Sequence, residues 1–242
     1  MTDRIHAVIT DYAPILHFHP EEGKFCCYPS DASLIFKQFS DDWTKFKKDM
    51  TPNTMDSKAP CYYEYWNSGK FVQLRYWFWY NYNRFPRALF GKGNHLGDWE
   101  HIELRIYQDF VDDELVTIWL LSNHLTARLV SNPEQNTLGD FIPERPVLTD
   151  KQVHAWVALG SHAHYSSLTS KPYCYARIWR DRIGEGEVWD TKKSLVPLRE
   201  MEFYKYTGRW GDEKAPRSPS NEYNNRWRNA PDLRPVIIGK SS

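Results

Sequence analysis

The densest run of chemistry-bearing side chains in the sequence is Asn94-His95-Leu96-Gly97-Asp98-Trp99-Glu100-His101. Beyond it, Ile102, Leu104 and Ile106 alternate with Glu103 and Arg105, the period of a β-strand. Extended back to Asp98, that strand carries Asp98 and Glu100 onto its apolar face. A buried carboxylate without a partner is costly or becomes protonated, so the pair needs a cation, a donor network or a water-filled cleft. His95 lies just before the strand, where Gly93 and Gly97 can turn it back towards the acids. One histidine and two carboxylates suit a hard divalent cation, Mg²⁺, Ca²⁺ or Mn²⁺, with water completing the shell. Zinc suits them less, because no Cys or second His stands at a familiar ligand spacing. The alternative is a strand start at a sheet rim, with both acids paired to Arg or backbone amides; the spacing leaves the two readings open.

Three further histidine groups could contribute. His17 and His19 share a face if Ile15–His19 is a strand, and taken alone they read as an ordinary polar strand face. His124 continues the parity of Val116, Ile118 and Leu120 past Ser122, which places it on the core side of a strand end. Gly160-Ser161-His162-Ala163-His164-Tyr165 follows the apolar run Val153–Leu159, so its polar groups fall at a strand end. Ser161 beside His162 suggests a nucleophile, yet the strand–turn–helix Gly-x-Ser-x-Gly elbow is absent, which disfavours a Ser-His-Asp hydrolase.

The elements that must position these groups are mostly strands. Phe71–Asn83 carries Leu74, Tyr76, Phe78 and Tyr80 on one parity and Trp77 and Trp79 on the other, the pattern of a strand buried on both faces. Leu115–Asn123 and Val153–Gly160 are two more strand candidates, and 131–146 is rich in turn formers. The best helix signal is Ser30–Lys48, capped by Ser30 or Asp31, with a second short helix after Thr149-Asp150. Residues 213–242 shift to Pro, Asn, Arg and Ser around Trp227 and read as an extended wrap within one mainly-β domain spanning 1–242.

Composition narrows the function classes. The 31 basic residues balance 31 acidic ones, so no net field attracts nucleic acid or an anionic membrane. No apolar run approaches the ~18 residues of a transmembrane helix. The N-terminus lacks the form of a secretory signal, and four cysteines without a C-x-x-C pair suggest reduced thiols in a cytoplasmic protein. The 11 Trp, 15 Tyr and 12 Phe read mainly as core.

Several separated segments resemble the vacuolar protein sorting-associated protein 62 family. They are Tyr12-Ala13-Pro14-Ile15-Leu16 with His19-Pro20-Glu21-Glu22, Tyr76-Trp77-Phe78-Trp79-Tyr80, Gly97-Asp98-Trp99-Glu100-His101, Ala158-Leu159-Gly160-Ser161-His162-Ala163 and Gly208-Arg209-Trp210-Gly211-Asp212. The chain departs from that family near Phe25-Cys26-Cys27-Tyr28, and the family name implies no reaction. A more distant resemblance is to the necrosis-inducing cytolysins, whose Gly-His-Arg-His-Asp-Trp-Glu heptapeptide corresponds to Asn94–Glu100 here. That resemblance implies a β-sandwich, which with the helix signals above gives a β-sandwich with one or two short helices, and a divalent cation held by His95, Asp98 and Glu100. A further acidic ligand of that family falls near Asn83, and its second His and its Arg become Gly97 and Leu96.

Three functions follow as expectations. The leading one is a divalent-metal-dependent enzyme, with His124 and His162 as general acid/base on a small polar substrate. The alternative is a metal-dependent module that grips a lipid headgroup or glycan without turnover. The third is a metal-stabilised interaction domain in protein sorting. A closed pocket holding both histidines favours the first, and exposed Trp or Tyr around a cleft favours the second.

Overall fold

The structure is a computed structural model that describes residues 3–25, 27–67, 69, 71–86, 89–108, 115–124, 126–131, 143–175 and 179–221. Its α-helices are α1 (Asp3–Asp11), α2 (Glu22–Phe25) and α3 (Ala32–Phe39). Its strands are β1 (Ile15–His17), β2 (Cys61–Asn67), β3 (Phe71–Asn83), β4 (His95–Gln108), β5 (Leu115–Asn123), β6 (Thr126–Ser131), β7 (Leu148–Thr149), β8 (Gln152–Val157), β9 (His164–Tyr165), β10 (Cys174–Tyr175), β11 (Trp179–Arg180), β12 (Val188–Asp190) and β13 (Leu195–Pro197). Two sheets build a β-sandwich. The smaller runs β12-β1-β8-β7 with β9 on β8, and the larger runs β13-β2-β3-β4-β5-β6.

The long central strand β3 explains the layering. Its even positions Leu74, Tyr76, Phe78 and Tyr80 join Ile102 and Leu104 against Leu16, Val153, Ala155, Val157 and Trp189 of the smaller sheet, which makes the inter-sheet core. Its odd positions Trp77 and Trp79 join Trp99, Phe203 and Trp210 beneath α3. Both faces of β3 are therefore buried, as the doubled aromatic pattern predicts. At roughly 1.5–3 kcal/mol for each large side chain removed from water, these two layers supply the main stabilising term.

Helices depart furthest from expectation. The Ser30–Lys48 helix is shorter, with Asp31 accepting from the Ser33 amide as its N-cap (2.7 Å) and a single 3-10 turn at 43–45. After Thr149 the chain makes a tight turn with Asp150 at φ +53° and enters β8, so a hairpin replaces the expected second helix. Two helices stand where none is expected: α1 packs Ile5, Val8 and Ile9 on the core at helical spacing, and α2 is a single turn. The described residues thus hold three short α-helices in place of one or two.

Two other expectations change. Val116, Ile118 and Leu120 form an outer cluster with Tyr107 and Leu129, while Trp119 and Leu121 enter the inter-sheet core, so the inward parity of β5 is the reverse of that expected. Cys61 and Cys174 are free, but Cys27 is disulfide-bonded, so the thiols are not all reduced. Most of the 131–146 turn region, Cys26, and residues 222–242 with Trp227 lie outside the described residues. No helix among them is long and apolar enough to cross a membrane.

Candidate functional site

Strand β4 places Asp98 and Glu100 on the inner face of the larger sheet, where both are almost fully buried. β4 begins earlier than the alternation suggests: His95 is its first residue, opposite Asn83, and the ladder skips Asn81 and Gly97. Gly97 has φ +63°, and a Cβ there would lie 2.3 Å from the Trp79 ring. The His95 ring meets the Gly97 carbonyl 2.7 Å from its Nδ1.

The chain's own side chains partner the two buried acids. After β8, the turn through Gly160 and His162, both at positive φ, aims His162 inward. Its Nδ1 lies 2.9 Å from Asp98 Oδ2, and its ring stacks on Tyr80 at 3.8 Å and 5°. Its Nε2 is 3.7 Å from Glu22 Oε1, a Coulombic contact too long for a hydrogen bond. α2 supplies Glu22, whose two oxygens each accept from the Gly160 amide at 3.2 Å. Only glycine fits at 160, because a Cβ would lie 2.4 Å from the Arg84 carbonyl. Burial opposes charge on His162, but its hydrogen bond to Asp98 and the attraction of the Asp98 and Glu22 carboxylates outweigh it, and its pKa is raised to about 9. Burial also raises Glu22, against the pull of His162 and Gly160. On the other side, the Ser122 hydroxyl donates to Glu100 and lies 3.0 Å from His164 Nδ1.

A second cluster surrounds Asp181, which accepts from His124 Nε2 (2.7 Å), Ser161 Oγ (2.8 Å) and the Tyr165 hydroxyl. His124 has φ +55° in the β5–β6 turn, so it ends the strand alternation. It stacks on Phe85 with ring centroids 5.2 Å apart and meets Tyr173 at a tilt, 4.4 Å between centroids. The two candidate acid/base histidines are thus held apart: His162 by Asp98 in the sealed cluster, His124 by Asp181 nearer the surface. His17 sits on the outer face of the smaller sheet, 2.7 Å from His154 Nδ1, and β1 ends before His19.

Among the described residues, no group of three or more His, Cys, Asp or Glu side chains is arranged to hold a metal ion. The positive charge that Asp98 requires is supplied by the His162 imidazolium, and Glu100 is satisfied by Ser122. As placed, these side chains do not fit a resident divalent cation.

An open cleft lies elsewhere among the described residues. Phe85, Lys92, Gly93, Trp179 and Lys214 line a mainly apolar cleft of about 420 Å³. Phe85, one of its lining residues, stacks on His124 of the Asp181 cluster. Gly93, at φ +87°, lets the backbone run against the Phe85 ring, since a Cβ there would meet that ring at 3.0 Å. Phe90, in the turn just before Lys92, is fully exposed. Sequence reasoning singled out none of these residues except Gly93. They come from separate segments with no local pattern, and Asp181 likewise lacked a signal. Glu22 stood within the His19-Pro20-Glu21-Glu22 segment, without a role.

Fold and site together define a β-sandwich protein with a sealed histidine–carboxylate network and an aromatic surface cleft. Among curated proteins, the chain is 26% identical over 207 residues to "Putative vacuolar protein sorting-associated protein TDA6" of Saccharomyces cerevisiae. The match takes in 69% of this chain but only 41% of that relative's length. No family model matches. Among solved structures, a non-toxic HaNLP3 protein aligns at a TM-score of 0.46 and 14% identity, covering 83% of this chain and 77% of that one. NLPPya in complex with mannosamine aligns at a TM-score of 0.46 and 11% identity, covering 93% and 88%.

Proposed function

We propose that this chain is a binding module that holds a saccharide in the Phe85–Trp179 cleft without turning it over. The observation that carries the reading is the cleft itself: an open apolar recess of about 420 Å³ with two aromatic walls. A pyranose ring presents C–H faces that pack on such walls, and a concave apolar site with few polar groups is the usual form of a small-molecule site. The sealed cluster supports the same reading. His162 is fully buried between Asp98 and Glu22, so it does not open into the cleft as an acid/base group. NLPPya, with mannosamine in its complex, is consistent with a saccharide ligand.

A panel of monosaccharides titrated against the protein, followed by tryptophan fluorescence, tests the proposal. Saturable binding that Trp179→Ala weakens by about thirtyfold is the expected result. Absence of saturable binding across the panel, or conversion of a bound sugar to product, would contradict it.

A further inference from the structure

We infer that His17, His154 and Thr149 form an acid-operated latch on the smaller sheet, which holds β7 to the body of that sheet at neutral pH and releases it in acid. The inference is independent of the saccharide reading. Its basis is geometric. His17 Nε2 and His154 Nδ1 stand 2.7 Å apart, and on its other side His154 Nε2 lies 2.8 Å from Thr149 Oγ1. The two imidazole centroids are 5.0 Å apart with planes within 23°, so the rings meet nitrogen to nitrogen rather than face to face. This chain of contacts crosses the neighbouring strands β1, β8 and β7 on the outer face. Trp156 packs flat on His17 at 4.7 Å and 11°, which fixes the ring that begins it. β7 otherwise holds β8 through two ladder pairs and the His154 amide on the Val147 carbonyl (2.9 Å), so the side-chain contact is a sizeable share of its attachment.

Proton counting makes the contact pH-sensitive. A neutral imidazole has one N–H donor and one acceptor nitrogen, so two neutral rings and a hydroxyl join in either tautomer. The pair can share one added proton. A second turns both facing nitrogens into donors, and two cations then meet at hydrogen-bond distance. Neither ring has an acid partner among the described residues. On this face β12 presents Val188 and Asp190, and Asp190 accepts from the Gln152 side-chain amide (3.1 Å) with Lys192 and Lys193 at 3.8 and 3.6 Å. β1 adds Ile15. In the β7–β8 turn Asp150 is exposed, and Lys151 is paired with Asp11 (3.1 Å). Beyond Trp156, Tyr165 of β9 donates to Asp181, which His124 and Ser161 also occupy. Burial, and then the charge of His154, lower the His17 pKa to about 4, and burial lowers that of His154. The fold therefore favours the neutral pair. The latch is closed above about pH 6.5, where the unfolded rings are neutral too, and opens as pH falls towards about 4.

Hydrogen exchange of the full chain at about pH 7 and about pH 4.5, corrected for the intrinsic pH dependence of exchange, tests the latch. Protection of the His154 amide should fall about fivefold in acid, the scale of one hydrogen bond, while the β3 amides keep theirs. His17→Phe keeps a ring on Trp156 and removes the facing nitrogen, so its β7–β8 protection should become nearly independent of pH. His154→Gln, which retains a polar group towards Thr149, should behave the same way and controls for a packing defect in the first variant. Equal falls in the native protein and both variants, or no fall in the native protein, would overturn the latch. Loss of β3 protection in parallel, the mark of global unfolding, overturns it too. So do imidazole nitrogen shifts in which His17 and His154 each titrate at the ordinary value of ~6.5.

Discussion

The His162 cluster and the Phe85–Trp179 cleft lie at opposite extremes of the same molecule. The first concentrates ionisable groups, Glu22, Asp98, Glu100 and His162, in a space closed to solvent, where each carboxylate has a partner within the chain. Among the described residues, the second is lined by two aromatics, two lysines and a glycine, and it opens to solvent. A high density of titratable residues here marks a charge network that ties α2, β4 and the turn after β8 together. The surface suited to a ligand is made of residues that look unremarkable one by one. Buried charge and accessible chemistry are different properties, and in this fold they occupy different places.

The largest expected effect breaks the sealed side of the comparison. Asp98→Ala removes the closest partner of a buried imidazolium, and breaking a buried ion pair costs about 3–5 kcal/mol. Urea unfolding should show a loss of that size, while the protein that remains folded binds sugar with native affinity. Loss of binding with intact stability would instead place Asp98 in the ligand site. The next effect breaks the open side. Trp179→Ala should weaken sugar binding by about 2 kcal/mol, the scale of a buried aromatic anchor. Its stability in the same urea assay should stay within about 0.5 kcal/mol of native, as for surface substitutions.

Much of this contrast was legible in the sequence, but unevenly. The doubled aromatic parity of β3 and the alternation of β4 specify two buried faces, and they correctly bring Asp98 and Glu100 inward. The partners of those acids were not legible. Glu22, Ser122 and His162 lie on α2, β5 and the turn after β8, and only the folded topology gathers them. The inward parity of β5 misleads because its outer positions Val116, Ile118 and Leu120 are also covered, so both faces look apolar. Ile5, Val8 and Ile9 do carry helical spacing, and α1 could have been read from them; α2, a single turn, has no period to detect. The cleft was hidden for another reason: two aromatics and two lysines scattered over 130 residues of chain have no spacing rule.

A smaller effect sharpens the comparison by locating the acid sensitivity outside both regions. Burial, followed by the charge of His154, lowers the His17 pKa to about 4. In the unfolded chain His17 titrates near 6.5, so between about pH 6.5 and pH 4 the unfolded state binds the extra proton. Stability contributed by the neutral ring is present above pH 6.5 and is lost as pH falls towards 4. His17 is only half-buried, so solvent screening holds the effect to about 1 kcal/mol. Urea midpoints for native and His17→Phe protein should converge at acid pH if this is right, and a difference that does not change with pH would count against it.

The smallest expected effect is none at all. Added Mg²⁺, Ca²⁺ or Mn²⁺ should leave the melting temperature where it is, because His162 already supplies the charge that Asp98 needs. A rise in melting temperature that Asp98→Asn abolishes would show that an ion displaces His162, and would return His95, Asp98 and Glu100 to the role their spacing suggests.

The central claim is that ligand binding belongs to the open cleft and not to the buried charge network. Amide and indole chemical-shift mapping during titration with the tightest-binding sugar of the panel tests it most directly. The account predicts shifts clustered on Phe85, Lys92, Gly93, Lys214 and the Trp179 indole, with Asp98, Glu100, His162 and Glu22 unmoved. Shifts centred on Asp98, Glu100 and His162, with the Trp179 indole unchanged, would contradict it.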